Sequence, residues 1–320
     1  EKYLEQCLDS VKELVDEIII VDTGSTDKTR EIAKKFGAKI FDFKWVDDFS
    51  AARNESLKHA TKDWILVLDA DEIIDKNDLE KIKKIVNEKD FAGFKLEQRS
   101  YINNYFEGAL ENKSDFGLIK QYQFYISNSL ARLFKNSLGI KFRHRVHELV
   151  EDYMGEHNLK YKKTGIILHH FGSLKGEEAL KEKAGQYSKI ILKQLEKNPE
   201  SARYNYQAAR MHLGKGNLSN ALEYFKKAAK REPTYKLIFS EIAKIYLQMS
   251  DKNKAIEYFK KSIKNNPGNP SPANNIAVVY MSMGKFDRAK EILEGQLKKH
   301  PDNKALKYNY EECLRNLNQK

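Results

Sequence analysis

Cysteine is nearly absent from this chain of 320 residues: Cys7 and Cys313 stand at opposite ends. Two thiols so placed give no disulfide framework and no Cys-x-x-Cys metal spacing, so a reducing cytoplasm is the expected compartment. Long apolar runs are missing as well. None approaches the roughly 18 to 20 residues that span a bilayer, so no transmembrane segment is expected. A secretory signal is also lacking, although the chain opens at Glu1 without a methionine. No basic stripe with interleaved aromatics is present, and this argues against a nucleic-acid partner. The formal charge of +11 nevertheless favours anionic partners such as nucleotide diphosphates or anionic lipid, so attachment at the inner face of a membrane is compatible with it. Much of that charge is lysine on amphipathic helices, as in Lys226-Lys227 and Lys260-Lys261, and serves as a solvated face.

What is present is 41% hydrophobic and 32% charged residues, enough for a buried core, in a length that suits two domains. Of only six prolines, Pro199, Pro233, Pro267 and Pro301 recur every 34 residues. Ala209, Ala243 and Ala277 keep the period, and so do Ala221, Ala255 and Ala289, and His212, Tyr246 and Tyr280. A 34-residue period with small residues where paired helices touch is the tetratricopeptide signature, a solenoid of helix–turn–helix units. Residues 199–320 are therefore expected to form three repeats and a capping helix, after a connecting helix over 173–198. Gly214, Gly216 and Gly284 suit turns, whereas the middle unit has Met249-Ser250-Asp251 at this point. First-helix side chains such as Tyr204, Asn205 and Arg210 are expected to line the concave face.

Residues 1–172 have a different grammar. Leu4, Cys7, Leu8, Val11 and Leu14 fall at helical spacing. Strands are expected at 17–21, 39–43, 64–68, 91–97, near 131–134 and at 166–170, with helices between. Ser25 is the expected cap of the second helix, Gly37 its stop, and Asn77 the cap of a helix running to about residue 88. Such alternation implies a largely parallel α/β sheet with helices on both faces.

Acids stand where strands end. Asp22 follows the first strand, and Asp69-Ala70-Asp71-Glu72 follows Trp64-Ile65-Leu66-Val67-Leu68. Ligands of open α/β sheets collect at such carboxyl ends. Two carboxylates there suit Mg²⁺ or Mn²⁺, and the metal a diphosphate. Arg53 lies in the first turns of a helix, whose start offers N–H groups to an anion.

In Val21-Asp22-Thr23-Gly24-Ser25-Thr26-Asp27, Ala51-Ala52-Arg53-Asn54 and Leu68-Asp69-Ala70-Asp71, in this order and at these separations, the chain resembles the family 2 glycosyltransferases of the GT-A fold. With its repeats it is similar to the bacterial subgroup bearing tetratricopeptide repeats, and to the S-glycosyltransferases that modify bacteriocin peptides. The resemblance implies a Rossmann-like nucleotide-sugar domain and metal-dependent hexosyl transfer, with inversion, from a UDP-linked sugar to a peptide, protein or glycan. It implies that Asp22 accepts the base N–H, Arg53 contacts base or diphosphate, Asp69 faces ribose and sugar, and Asp71 ligates the metal. Val146-His147-Glu148 fits a family motif and makes Glu148, with His147 second, the candidate general base. His169-His170-Phe171-Gly172 matches a His-aromatic-Gly ending, which brings His170 to the metal or diphosphate. The polar insert 104–121 is a candidate acceptor surface. Family members open with a hydrophobic strand and an Asn-Glu turn. This chain begins in the helix that follows, so that strand is expected upstream of Glu1. A sugar nucleotidyltransferase and a peptide-binding adaptor with an inert α/β domain are the alternatives.

Overall fold

The computed structural model describes residues 1–103, 109–114, 116–174 and 176–318. It divides into two units, 1–190 and 191–320.

The first unit runs α1 (Leu4–Val11), β1 (Ile19–Asp22), α2 (Thr29–Lys35), β2 (Lys39–Asp42), α3 (Phe49–His59), β3 (Trp64–Leu66), β4 (Glu72–Ile74), α4 (Lys76–Ile85), β5 (Gly93–Ile102), β6 (Leu110–Glu111), β7 (Phe124–Lys135), α5 (Glu151–Glu156) and β8 (Tyr161–His170). Helix α6 (Glu177–Lys197) follows, and the division between units falls within it. Helix α1 forms because Leu4, Cys7, Leu8 and Val11 share one face, and all four are buried. Capping differs from the expectation at two helices. Helix α2 begins only at Thr29, because Ser25 is spent in the turn, donating its backbone N–H to Asp22 Oδ1 at 3.0 Å. Helix α4 is capped by Asp75, whose Oδ1 accepts the Asn77 N–H at 2.8 Å. The stop after α2 is as expected, with Gly37 at φ +69°.

The sheet is mixed rather than largely parallel. Strands β1 and β2 pair in parallel as a separate two-stranded sheet. The larger sheet has the order β3-β7-β5-β8-β4, with β6 on β7, and among the described residues only β5 and β8 are parallel in it. Helix–strand alternation stops after α4. From there β5, the long β7 and β8 pair with one another, which the alternation earlier in the chain does not anticipate. The core beneath is Phe94, Leu96, Leu133, Ile166 and Leu168, with Ile74, Leu79 and Ile82 against it. A second cluster, including Phe134, Phe142, Val150 and Met154, packs around Ala131.

The second unit holds three helical hairpins and a last helix: α7 (Ala202–Gly214), α8 (Leu218–Arg231), α9 (Ile238–Gln248), α10 (Lys252–Asn265), α11 (Ser271–Ser282), α12 (Phe286–Lys299) and α13 (Lys304–Asn318). The periodic alanines Ala209, Ala243, Ala277, Ala221, Ala255 and Ala289 are all fully buried, as contacts between paired helices require. His212 stacks on Tyr224 and, one period later, Tyr246 on Tyr258, each with centroids 5.4 Å apart. Asn205 corrects the expected concave lining. It is 1% exposed, and its Nδ2 donates to the carbonyls of Pro199 at 2.7 Å and Ser201 at 2.8 Å, so it ties down the helix start instead.

Candidate active site

Register assembles the site. Antiparallel pairing sets Glu72 opposite His170 on β4 and β8, and parallel pairing sets Ser100 opposite His170 on β5 and β8. The turn Asp69-Ala70-Asp71 lies between β3 and β4, so it sits at the end of these rows.

Arg53, on the first turns of α3, joins two of the expected residues. Its Nε donates to Glu148 Oε1 at 2.6 Å and its Nη2 to Asp69 Oδ1 at 2.5 Å. Helix α3 is set by Asp48, whose Oδ1 accepts the Ala51 N–H at 3.0 Å and the Ser50 hydroxyl at 2.7 Å. Burial works against the Arg53 charge, but Asp69 and Glu148 outweigh it and hold the guanidinium more firmly protonated than an ordinary arginine. Glu148 closes a loop whose ends, Arg143 and Leu149, are bridged in antiparallel fashion. In that loop His144 and His147 take left-handed backbone at φ +75° and +52°.

Asp71 is buried, and its Oδ1 lies 3.6 Å from His170 Nε2. The other ring nitrogen, Nδ1, is 2.8 Å from Ser100 Oγ, so Nε2 is the nitrogen turned to Asp71. Burial lowers the His170 pKa against the pull of Asp71 and Asp69, which favours the neutral, ligating imidazole. Gly172 makes room for the pair: a Cβ there would collide with the His170 ring and lie 3.0 Å from Asp71 Oδ2. An imidazole and a carboxylate with the second ring nitrogen fixed suit a divalent cation, Mn²⁺ better than Mg²⁺. Among the described residues no group of three or more His, Cys, Asp or Glu could hold a metal. Any cation held here would therefore draw its other ligands from water or a diphosphate.

Asp22 ends β1, buried, but in a separate set of bonds. Its Oδ2 accepts from Arg30 Nη1 at 2.8 Å and its Oδ1 from the Ser25 N–H. Burial would raise its pKa, yet Arg30 and the Ser25 bonds keep it below the usual carboxylate range. Residues 104–108 and 115 of the expected acceptor insert lie outside the described residues.

Several site residues carry no motif. Arg132 on β7 donates through Nη2 to Asp69 Oδ2 at 3.0 Å and to Glu72 Oε1 at 3.1 Å. Glu72, wholly buried, accepts the Asp69 N–H at 2.8 Å and a bond from Gln98. Burial pushes the Glu72 carboxyl up, while Asp69, only partly buried and gripped by two guanidinium groups, lies far below the ordinary range. Tyr187 of α6 meets the rings of Phe49 at 5.2 Å and His147 at 5.4 Å. Burial, with Glu148 and Asp69 nearby, pushes its hydroxyl up to about 12. Glu72 was readable from its place beside Asp71; Arg132 and Tyr187 gave no signal of their own.

Residues 1–147 match the profile of glycosyl transferase family 2, and residues 202–235 and 248–308 match tetratricopeptide-repeat profiles. A TPR repeat-containing protein of Synechococcus elongatus is 30% identical over 74% of this chain and 57% of its own length. The glycosyltransferase SunS of Bacillus subtilis, derived from the SPbeta prophage, is 29% identical over 71% of this chain and 50% of its own. The glycosyltransferase GlyA of Streptococcus pneumoniae is 27% identical over 48% of this chain and 25% of its own. The chain thus spans about half the length, 57% and 50%, of the first two relatives. Among solved structures, the MamA protein covers 44% of the chain at 18% identity with a TM-score of 0.36, too slight a likeness to carry an argument.

Proposed function

We propose that this chain, which carries a family 2 glycosyltransferase domain followed by tetratricopeptide repeats, transfers a sugar from a nucleotide diphosphate, UDP above all, to a peptide, protein or glycan. The observation that carries the reading is the convergence of Arg53, Asp69, Asp71, Glu148 and His170 at one strand end. Asp71 and His170 would hold a divalent cation, Mn²⁺ or Mg²⁺, which when bound supplies positive charge to the departing diphosphate. Arg53, oriented by Asp69 and Glu148, presents the rest of its guanidinium to diphosphate or base. Asp22, fixed by Arg30 and Ser25, offers carboxylate to the base N–H. Glu148 or His147 takes the acceptor's proton as its oxygen or sulfur attacks the anomeric carbon with inversion. Tyr187, an aromatic lid on His147, excludes water from the reacting centre. The repeats bind the acceptor or a partner protein.

Calorimetry of UDP binding with and without Mn²⁺ tests the reading. Binding should require the cation, and Asp71→Ala should remove most of that dependence. Equal affinity with and without Mn²⁺ in the unaltered protein sinks the metal role. Capture of a peptide with no nucleotide binding would leave an adaptor.

A further inference from the structure

Arg132 occupies its place through a defect in the sheet. On β7, Leu133 pairs with Phe94 and Ala131 with Lys95, so Arg132 is the extra residue of a β-bulge. Bulges re-aim side chains. Alternation fails here: Ala131, Arg132, Leu133 and Phe134 are buried in succession. A guanidinium is thereby brought into the interior, 6% exposed, between the carboxylates of Asp69 and Glu72. Its Nε, buried, has no hydrogen-bond partner among the described residues. A donor left unmade is a cost to stability rather than a gain.

From this geometry we infer that Arg132 is a positioning residue, the inner anchor of an ion-pair chain Glu72–Arg132–Asp69–Arg53–Glu148 that fixes how Arg53 faces the nucleotide. Each link is direct: Arg132 Nη2 to Glu72 Oε1 at 3.1 Å and to Asp69 Oδ2 at 3.0 Å, then Asp69 Oδ1 to Arg53 Nη2 at 2.5 Å, then Arg53 Nε to Glu148 Oε1 at 2.6 Å. The main chain of Arg132 holds the same turn from the other side, its carbonyl accepting the Val67 N–H at 2.8 Å. Asp69 is thus gripped at both oxygens and, through Glu72, at its own N–H. Without the Arg132 head group, Asp69 keeps one cation and Glu72 keeps only Gln98 and the Asp69 N–H. Asp69, with Arg53 as its one remaining cation, would then draw the guanidinium inward from the position it holds toward Glu148. The choice of ligand rests on the transferase reading; the positioning of Arg53 does not.

Two variants of the full chain test it. Arg132→Lys keeps the charge, but its ammonium ends one bond nearer the main chain and falls short of the place where Arg132 Nη2 alone serves both Asp69 and Glu72. Arg132→Met fills the bulge without a charge but leaves Asp69 and Glu72 without their shared cation, so it should melt lower, and Arg132→Lys supplies the comparison at kept charge. The first readout needs no ligand: the Arg53 Nε–H resonance, which its bond to Glu148 should shift downfield and protect from exchange. The second is the UDP affinity in Mn²⁺, with melting followed in parallel. In both variants the Arg53 signal should lose its protection, and UDP binding should weaken by about 10- to 100-fold, the scale of outer-shell losses. An Arg53 signal and a UDP affinity unchanged in a variant that melts like the unaltered protein would overturn the role of Arg132. If the unaltered protein binds no UDP, the transferase reading falls, and the Arg53 resonance alone then decides for or against the anchor.

Discussion

The two units use ion pairs differently. In the first, Arg53 and Arg132 are joined with Asp69, Glu72 and Glu148, residues up to 95 positions apart, with Arg132 and Glu72 buried and the other three partly so. In the second, pairs such as Arg210–Glu241 and Arg231–Glu200 lie on the surface, and what repeats is the apolar contact between helices. Exposed pairs contribute little, because water and salt screen them. Buried ones are costly to build and costly to break, so they persist where a geometry must be held. The repeat unit is thus organised by a period, and the α/β unit by a polar network.

One substitution made in both units tests that contrast most sharply. Glu148→Gln removes the charge that orients Arg53 and, in the proposed mechanism, a group that receives the acceptor's proton. Single-turnover transfer should slow by roughly 10²-fold or more. Glu241→Gln, which breaks the pair with Arg210, should leave donor hydrolysis and melting unchanged. Equal effects from the two would erase the distinction.

The legibility of the sequence divides along the same line. Four prolines and six alanines at a fixed spacing announce the repeats, because each repeat's contacts lie within itself or its neighbour. The acids after β1 and β3 were equally visible, since carboxylates at strand ends need only local reading. Arg132 was not, because a bulge exists only relative to the partner strand, here β5, and no local pattern encodes that pairing. Sheet direction failed for the same reason: β7 and β8 find β5 across the chain, so early helix–strand alternation misjudged a mixed sheet as parallel. Asn205 was read as a surface residue because polar residues usually are, whereas its short amide donates to two backbone carbonyls at the helix start and is held inside by them.

Acid should separate the units next. His169 is 3% exposed, with Nδ1 2.6 Å from the Tyr101 hydroxyl and its ring stacked on Phe116 and Tyr101. Burial lowers its pKa from 6.5 to about 4. The fold therefore favours neutral His169, while the unfolded chain takes up a proton below about 6.5. That stability is fully present above pH 6.5 and is lost as pH falls towards 4, at most on the order of 3 kcal/mol. Urea melts at pH 7 and pH 4.5 should show the α/β unit weakened in acid. His169→Phe should flatten that part of the dependence. An identical pH dependence in the variant would show that His169 does not govern it.

The smallest effect sharpens the repeat side of the contrast. After α7, α9 and α11 the chain turns through Gly216, Ser250 and Gly284, each 34 residues from the last, at φ +73°, +62° and +71°. The bonds repeat with them. Gly216 N–H donates to Leu213 O and Asn217 N–H to His212 O, each at 2.9 Å; Ser250 to Leu247 at 2.9 Å and Asp251 to Tyr246 at 2.8 Å; Gly284 to Met281 and Lys285 to Tyr280, each at 2.9 Å. These are the paired bonds of a Schellman ending, which wants glycine at its left-handed position. Ser250 is forced there by the period rather than by its own preference, and its Cβ carries a strain its two counterparts lack. Ser250→Gly should relieve that strain, offset in part by a floppier unfolded chain. The net gain should be about 0.5 kcal/mol, a rise of one or two degrees in the melting of the repeat unit. Gly216→Ala and Gly284→Ala should each move melting the other way, by about 1 kcal/mol. A loss of stability in Ser250→Gly would mean that the serine makes a contact worth more than its backbone costs, and the equivalence of the three turns would fail at the middle one.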